Sequence, residues 1–557
     1  MEKMRRINIY IAIIATVFFA GCDDYLDKEP FDKLANNVII DNEDYATSYL
    51  LQAYNFLPMG YGDRGTVGHE NTGNGWFFNF STLCDEMRNK SGWIKSEKVY
   101  VPGLLNATNN QIDAWEKRYK AIRVCNNLIG AMEEATFGEE ADRSLISAEA
   151  RFVRAFQYFD LTKKYGNVPL IKVAQGINDE DLLVSQTSQS EIFDFIYSEL
   201  NAIIDILPAH AENTALHYGR ATKEAAWALN GRAMLFAGRN AEAAALNQNI
   251  IDAGVFSLAS DYGAYFESDG GYQSSPETIF EIMFQDPLKV HTYAADAAPV
   301  RFGGGSQYNP VQEIVDEYEM ANGLAITDPL SGYDEQNPYV GRDKRFYESV
   351  LYHGASYKGD VMDMSFTYNA EKEKYDPTGG DAVLKTGLHT ASGYYLRKFT
   401  HESAPVEERP STNSWKTFRY GEILLNYAEA KNEVDGPTAE VYAAINEVRD
   451  RAEMPAIAAG LSKEAMRSVI RHERHIELAY EGQRYWDLIR WNKSEEVLND
   501  KKFTGMKVYV DKDSGNLRYE RFVMRNKKQV FLPKHYLWPI PQKEIDKNPN
   551  LIQNTGY

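Results

Sequence analysis

Apolar positions recur at three- and four-residue steps in several separate stretches of this chain, and such steps predict helices. Tyr45, Tyr49 and Ala53 are four apart in a segment from Asn36 to Leu57, which Asp41 or Asn42 can cap and Pro58 ends. Ile112, Trp115, Tyr119, Ile122, Asn126 and Ile129 form a second stripe. Leu145, Ala148, Phe152, Ala155 and Phe159 form a third, closed by Gly166 and Pro169. A fourth starts near Ser190 and carries Ile192, Ile196, Leu200, Ile203 and Leu207 as far as Pro208. Ile423, Tyr427 and Ala430 mark a later helix, and Val441, Ile445, Val448 and Ala452 its partner across Asp435-Gly436-Pro437. Met466, Ile470, Ile476, Tyr480 and Leu488 predict one long helix from an N-cap at Ser462 through Trp491, with no proline before Pro533.

Between the fourth stripe and the later helices, Trp227, Gly231, Gly238 and Ala243 are spaced four, seven and five residues apart. This spacing resembles a tetratricopeptide unit, in which small residues let two antiparallel helices approach closely. Helix pairs of this kind stack into a curved scaffold. The repeats are too few and degenerate for a regular solenoid. The expected fold is therefore mainly α, with helix pairs forming a curved scaffold, a loop-rich irregular lobe and a few short strands.

Two stretches break the periodicity. Residues 59–110 are rich in Gly, Asn and aromatics, and residues 256–414 in Gly, Tyr, Asp and Pro, with short pieces at Ile279–Phe284, Val311–Met320 and Tyr394–Phe399. Long non-periodic runs of this kind inside a compact protein carry function or are disordered, and their aromatics argue against disorder. Lys507–Val510 and Leu517–Val523 flank a polar turn and read as a hairpin. That turn is not a calcium loop, because Phe522 stands where the closing Glu belongs.

Composition narrows the functional classes. The chain has 557 residues, ample for a large core, and a formal charge of -20 that argues against nucleic acid as a partner. Its 36 tyrosines suit either wet surfaces for neutral polar ligands or a Tyr-rich interior. Three cysteines, Cys22, Cys84 and Cys125, supply neither a disulfide framework nor a CxxC pair. Met4-Arg5-Arg6 precedes an apolar run from Ile9 to Ala20 that is too short to span a membrane comfortably. The run ends Phe19-Ala20-Gly21-Cys22, which resembles the lipobox of bacterial lipoproteins, with Phe19 where Leu is usual; it predicts a signal peptide over 1–21 and lipidation of Cys22. Asp23-Asp24-Tyr25-Leu26-Asp27 is similar to acidic tethers that send some lipoproteins to the outer face of the outer membrane.

Candidate chemistry is sparse. His472 and His475 are three residues apart, whereas the zinc-protease motif needs four, so no metal or cofactor is expected. GxSxG, Walker and GxGxxG motifs are absent, and Gly303-Gly304-Gly305 lacks the strand, helix and Lys of a phosphate cradle. Arg471, Glu473, Arg474, Glu477, Glu481, Arg484, Asp487 and Arg490 crowd the last predicted helix; either a buried ion network or an active site would use them. A charge at every second or third position favours the network.

The segment Ile470 to Leu478 (IRHERHIEL) with Glu481 to Leu488 (EGQRYWDL) resembles the signature of the SusD/RagB family. Phe418 to Ala430 is similar to its RYAEILLNYAEA block, with Gly421 for Ala, and Gly341 to Phe346 to its RDPRF element, with Lys344 for Pro. The tail from Leu537 to Asn554 is similar to its end, with Thr555 where Pro is usual. The resemblance implies a non-enzymatic surface lipoprotein of the outer membrane, in which residues 22–255 form the N-terminal helical region and residues 256–557 a region of loop-rich lobe (256–414) and closing helices (415–498). It implies capture of oligosaccharides, or in some members peptides, and their delivery to a TonB-dependent SusC-like transporter; a glycan-processing enzyme is a third reading.

The family's binding loops vary, so site candidates rest on chemistry: aromatic faces stack on sugar rings while Asn, Asp and Arg bond hydroxyls. One group is Asn71, Asn74, Trp76, Phe77, Phe78, Asp85, Arg88 and Trp93. The other is Tyr272, Tyr293, Arg301, Phe302 and Tyr308. Trp115, Trp227 and Trp486 lie on regular helical faces and are expected in the core.

Overall fold

The computed structural model describes residues 41–557 apart from 62–77, 95, 111–112, 177, 180–181, 213–216, 268–274, 401, 403–410 and 526. Its main helices follow the apolar stripes. Helix α1 (Glu43–Tyr54) is capped by the Asn42 side chain. Helix α2 spans Trp115–Glu134, and α3 (Glu140–Tyr165) starts in a reciprocal cap between Glu139 and Asp142 and stops at Gly166, whose φ of 73° no other residue adopts cheaply. Helix α4 (Gln189–Asn201) begins in a Ser188–Glu191 capping box. It ends short of the expected Leu207, because Ile203 and Ile206 donate to the carbonyls three residues back and tighten the chain into turns. Ile203 and Leu207 stay buried all the same.

Helices α5 (Lys223–Phe236) and α6 (Asn240–Asp252) meet where the glycine spacing requires. A Cβ on Gly231 would stand 2.7 Å from Asn247 Nδ2, so only glycine permits this approach. Helices α7 (Tyr420–Asp435), α8 (Ala439–Arg451) and α9 (Lys463–Glu477) follow after a long interruption. Each helix from α2 to α8 packs on the next, α6 directly against α7, and α7 also carries α9. The scaffold is thus continuous across the intervening lobe. Trp115 and Trp486 are buried as expected, whereas Trp227 is only half-buried at the edge of α5.

The long helix expected from Ser462 to Trp491 is two helices. Helix α9 stops at Glu477 and α10 spans Arg484–Arg490, separated by a turn in which Tyr480 (φ 67°) and Gly482 (φ 73°) are left-handed. A buried Tyr in that conformation is costly and needs tertiary bonds to hold it.

The lobe is built from small sheets. Strands β1 (Met87–Asn89) and β3 (Tyr308–Pro310) pair antiparallel with Arg88 opposite Asn309. Strands β2 (Thr278–Ile282) and β6 (Trp415–Arg419) pair antiparallel with a bulge beside Phe418. The predicted hairpin is β7 (Thr504–Val510) with β8 (Leu517–Val523). It extends the lobe, because β4 (Ser365–Asn369) joins β7 in parallel and β5 (Lys374–Pro377) completes the order β5-β4-β7-β8. One hydrophobic cluster runs from Ala46 to Leu551, so helices and lobe share a core.

Candidate functional site

The charged stretch of α9 faces inward and forms a buried network. Glu477 accepts from Arg451 Nη2 at 2.6 Å, Arg419 Nη1 at 2.7 Å and Arg345 Nη1 at 2.9 Å. Glu473 takes Arg345 and Arg449. Glu481 takes Arg419 and Lys398, and Glu277 takes Arg419 again. Burial raises the Glu477 carboxyl, but Arg451, Arg419 and Arg345 together outweigh it and hold the group well below the usual carboxylate range. The same bonds explain the broken helix: Arg419 Nη2 donates to the Glu477 carbonyl and Lys398 Nζ to that of Ala479, filling acceptors a continuing helix would use. Three blocks distant in sequence, around Arg345, Arg419 and Glu473–Glu481, therefore meet at one ion-pair junction.

A second junction lies in the lobe. The Tyr61 ring stacks on His291 at 4.1 Å and meets Tyr293 at 4.9 Å, with Trp415 and Phe399 edge-on to it. Gly60 is demanded there, since a Cβ would penetrate the Trp415 ring at 2.1 Å. Asn413 Nδ2 donates to Tyr61 Oη (3.0 Å), to the Phe266 carbonyl and to the Phe399 carbonyl, both at 3.4 Å. His291 Nδ1 accepts from the Tyr293 N–H, which leaves Nε2–H to donate to the Asn413 carbonyl. Burial keeps this imidazole neutral, with its pKa down at about 3. Tyr61, Phe266, Phe399 and Asn413 border residues 62–77, 268–274, 401 and 403–410, so the described flanks of these segments are fixed to one aromatic centre.

The candidates from sequence divide three ways. Asn71, Asn74, Trp76, Phe77 and Tyr272, with Cys22, lie outside the described residues. Phe78, Asp85, Arg88, Tyr293 and Tyr308 are buried, and each has an internal task. Phe78 packs edge-on against Phe80. Asp85 is clamped by Arg484 at 3.0 and 2.8 Å. Arg88 Nη1 donates to the Thr82, Cys84 and Met87 carbonyls while its guanidinium covers Phe503. Tyr293 stacks on Tyr308 at 4.5 Å and accepts from Asn79 Nδ2. These five belong to the support beneath the surface, a correction forced by their burial. Trp93, 53% exposed, stays accessible, as do Arg301, which pairs with Asp360 and Asp381, and Phe302, edge-on to Tyr357. Cys84 and Cys125 are free buried thiols. Sequence reasoning missed Tyr61, His291, Asn413 and Trp415, because nothing in their spacing signals contacts more than 200 residues apart.

With this geometry in view, comparison with known proteins identifies the chain. The description of the SusD family matches residues 264–557, and a SusD-like description, "starch-binding associating with outer membrane", matches residues 24–235. The chain belongs to the SusD family. The SusD-like protein P38 of Formosa agariphila is 22% identical over the full length of both chains. Among solved structures, a SusD-like carbohydrate-binding protein from Bacteroides fragilis is 29% identical with a TM-score of 0.79, covering 92% of this chain and 100% of its own. Surface glycan-binding protein A of Bacteroides thetaiotaomicron, solved with laminarihexaose, is 21% identical with a TM-score of 0.61 over 92% of this chain and 99% of its own.

In this SusD-family chain the two junctions have different chemistry. The ion network is buried and its carboxylates are paired with arginines and Lys398 of the same chain. The aromatic centre supplies a rigid base, and accessible rings and polar groups lie around the lobe. Among the described residues no group of three or more His, Cys, Asp or Glu side chains could hold a metal ion, and no helix is long and apolar enough to cross a membrane.

Proposed function

We propose that this protein captures oligosaccharides at the cell surface and passes them to a TonB-dependent, SusC-like transporter, held to the outer membrane by a lipid on the Cys22 thiol. The observation that carries this reading is the match to SusD descriptions over nearly the whole chain from residue 24. The carbohydrate-binding description of the Bacteroides fragilis relative supports the ligand class. Trp93, Arg301 and Phe302 are the described side chains offered to the ligand, joined by Asn71, Asn74, Trp76, Phe77 and Tyr272 from the sequence. The protein binds and does not turn over its ligand.

Isothermal titration of the mature chain against an oligosaccharide panel tests this. Binding to at least one glycan is expected, with Trp93→Ala and Trp76→Ala each weakening it about tenfold, as for loss of one stacking ring. Binding to a peptide pool alone would replace the glycan by a peptide. Glycan shortening during the titration would make the protein an enzyme. Co-purification of a barrel protein with the native lipoprotein checks the transporter.

A further inference from the structure

Lys163 and Lys164 are neighbours in the last turn of α3, yet both ammonium groups reach the same carboxylate. Asp160 Oδ1 lies 3.1 Å from Lys163 Nζ, and Oδ2 lies 2.7 Å from both Lys164 Nζ and Arg118 Nε. Among the described residues neither lysine pairs with a second carboxylate. The other ions lining the space beside them are already matched: Arg232 makes a bidentate pair with Glu422, and Glu481 is held by Arg419 and Lys398. Two ammonium groups thus depend on one anion that a guanidinium also uses, and Lys164 and Asp160 are almost wholly buried. The carbonyl end of α3 offsets a nearby charge by about 0.3–1 kcal/mol, far less than the several kcal/mol that burying an ion costs. The Trp486 face, 4.9 Å from Lys163 Nζ, adds about 1 kcal/mol.

These cations line a cavity of about 70 Å³ that also touches Phe80, Trp415 and Trp486. The space is ample for a small tetrahedral ion. We propose that the cavity binds a single small inorganic oxyanion of the phosphate or sulfate class, held by Lys163 and Lys164. Burial drives both ammonium groups towards neutrality, Lys164 to about 8, with Asp160 opposing it and the neighbouring cations adding to it. An anion here would join α3 to the turn before α10 and to the chain at Met59 and Gly60, which approach the same space. The proposal is separate from glycan binding and does not depend on it.

Inorganic phosphate titrated against the mature protein at constant ionic strength, with chloride as the balancing salt, tests the site. One-site binding is expected, with a rise in the thermal midpoint of about 2 °C when phosphate exceeds Kd tenfold. Lys163→Gln should weaken binding at least tenfold while Lys163→Arg restores it. The Lys163 side chain keeps 12% of its surface exposed against 2% for Lys164, so its variants disturb the interior less and are expected to fold. Crystals of the wild-type protein grown with selenate give a readout that needs no variant: an anomalous peak within hydrogen-bond distance of Lys163 Nζ supports the site. No phosphate-dependent shift, an unchanged affinity in Lys163→Gln, or a selenate map empty at this position would each overturn it.

Discussion

Arg419 Nη1 lies 2.7 Å from Glu477 Oε1, and Nη2 of the same guanidinium donates to the Glu477 backbone carbonyl at 2.8 Å. One side chain at the end of β6 therefore fixes both the charge and the terminus of α9. Arg419→Ala would strand parts of Glu277, Glu477 and Glu481 in the interior without their shared donor. Loss of one partner from a buried network of this kind costs about 3–5 kcal/mol. A large fall in the urea midpoint is expected, and Arg419→Lys should not restore it, because an ammonium cannot span the five acceptors a planar guanidinium reaches. A midpoint unchanged by Arg419→Ala would show that the network contributes nothing to stability.

Arg484 and Asp85 form a bidentate pair across nearly the whole chain. Burial raises the Asp85 carboxyl, but Arg484 and then His475 outweigh it and keep the group strongly acidic. Arg484→Ala should lower stability by about 3 kcal/mol, since it leaves a buried carboxylate without its bidentate partner. Oligosaccharide affinity, measured well below the melting temperature, should stay within twofold. Loss of binding in a variant that keeps its thermal midpoint would return Asp85 to the ligand site and bring Arg484 with it.

His472 and His475, three residues apart on α9, are shifted in opposite directions. Burial lowers His472, but hydrogen bonds to Glu317 and Glu319 and their charges outweigh it and lift it to about 9. Burial and then Arg484 push His475 down to about 4 despite Asp85. A folded pKa above the unfolded value of about 6.5 gives stability that is complete below pH ~6.5 and lost as pH rises through ~9. For His472, part-exposed and screened, the loss is about 2 kcal/mol. For His475 the sign is reversed, and stability falls as pH drops from ~6.5 towards ~4. Other groups titrate in the same ranges, so the expected outcome is a difference: thermal midpoints of wild type and His472→Gln should diverge at pH 6 and converge by pH 9.5. A constant gap across that range would remove His472 from the account.

The scaffold was legible in the sequence because helices announce themselves locally. The stripes on α2 and α3 and the glycines of α5 and α6 are set by neighbours three to seven residues apart, and capping residues such as Asn42 and Ser188 act within one turn. The break between α9 and α10 was not legible, since the apolar spacing continues through Tyr480 while the bonds that end the helix come from Lys398 and Arg419. The site was read less well for the same reason. Tyr293, Tyr308 and Arg88 have the chemistry of a ligand surface, and only long-range packing shows that they are buried. Tyr61 and Asn413 carry no local signal at all; their roles arise from an encounter between segments 352 residues apart.

Two helical glycines separate backbone preference from packing. Gly130 in α2 is exposed, and a Cβ there would meet nothing within 4 Å. Gly130→Ala therefore gains only the difference in helix propensity and should stabilise the protein by about 0.5–1 kcal/mol. Gly231 in α5 has the same propensity to gain, but its Cβ would stand 2.7 Å from Asn247 Nδ2 and 3.2 Å from Asn247 Cγ. The Asn247 side chain cannot swing away freely, because it is buried and donates to the Ala243 carbonyl at 2.7 Å. Overpacking at such a contact costs about 1–3 kcal/mol, which exceeds the propensity gain. Gly231→Ala should thus destabilise by about 1 kcal/mol, and Gly231→Val, with a β-branch added, by more. Thermal midpoints should rise for Gly130→Ala and fall for Gly231→Ala. Two rises would mean that α5 and α6 tolerate a wider spacing than the close approach at Gly231 indicates.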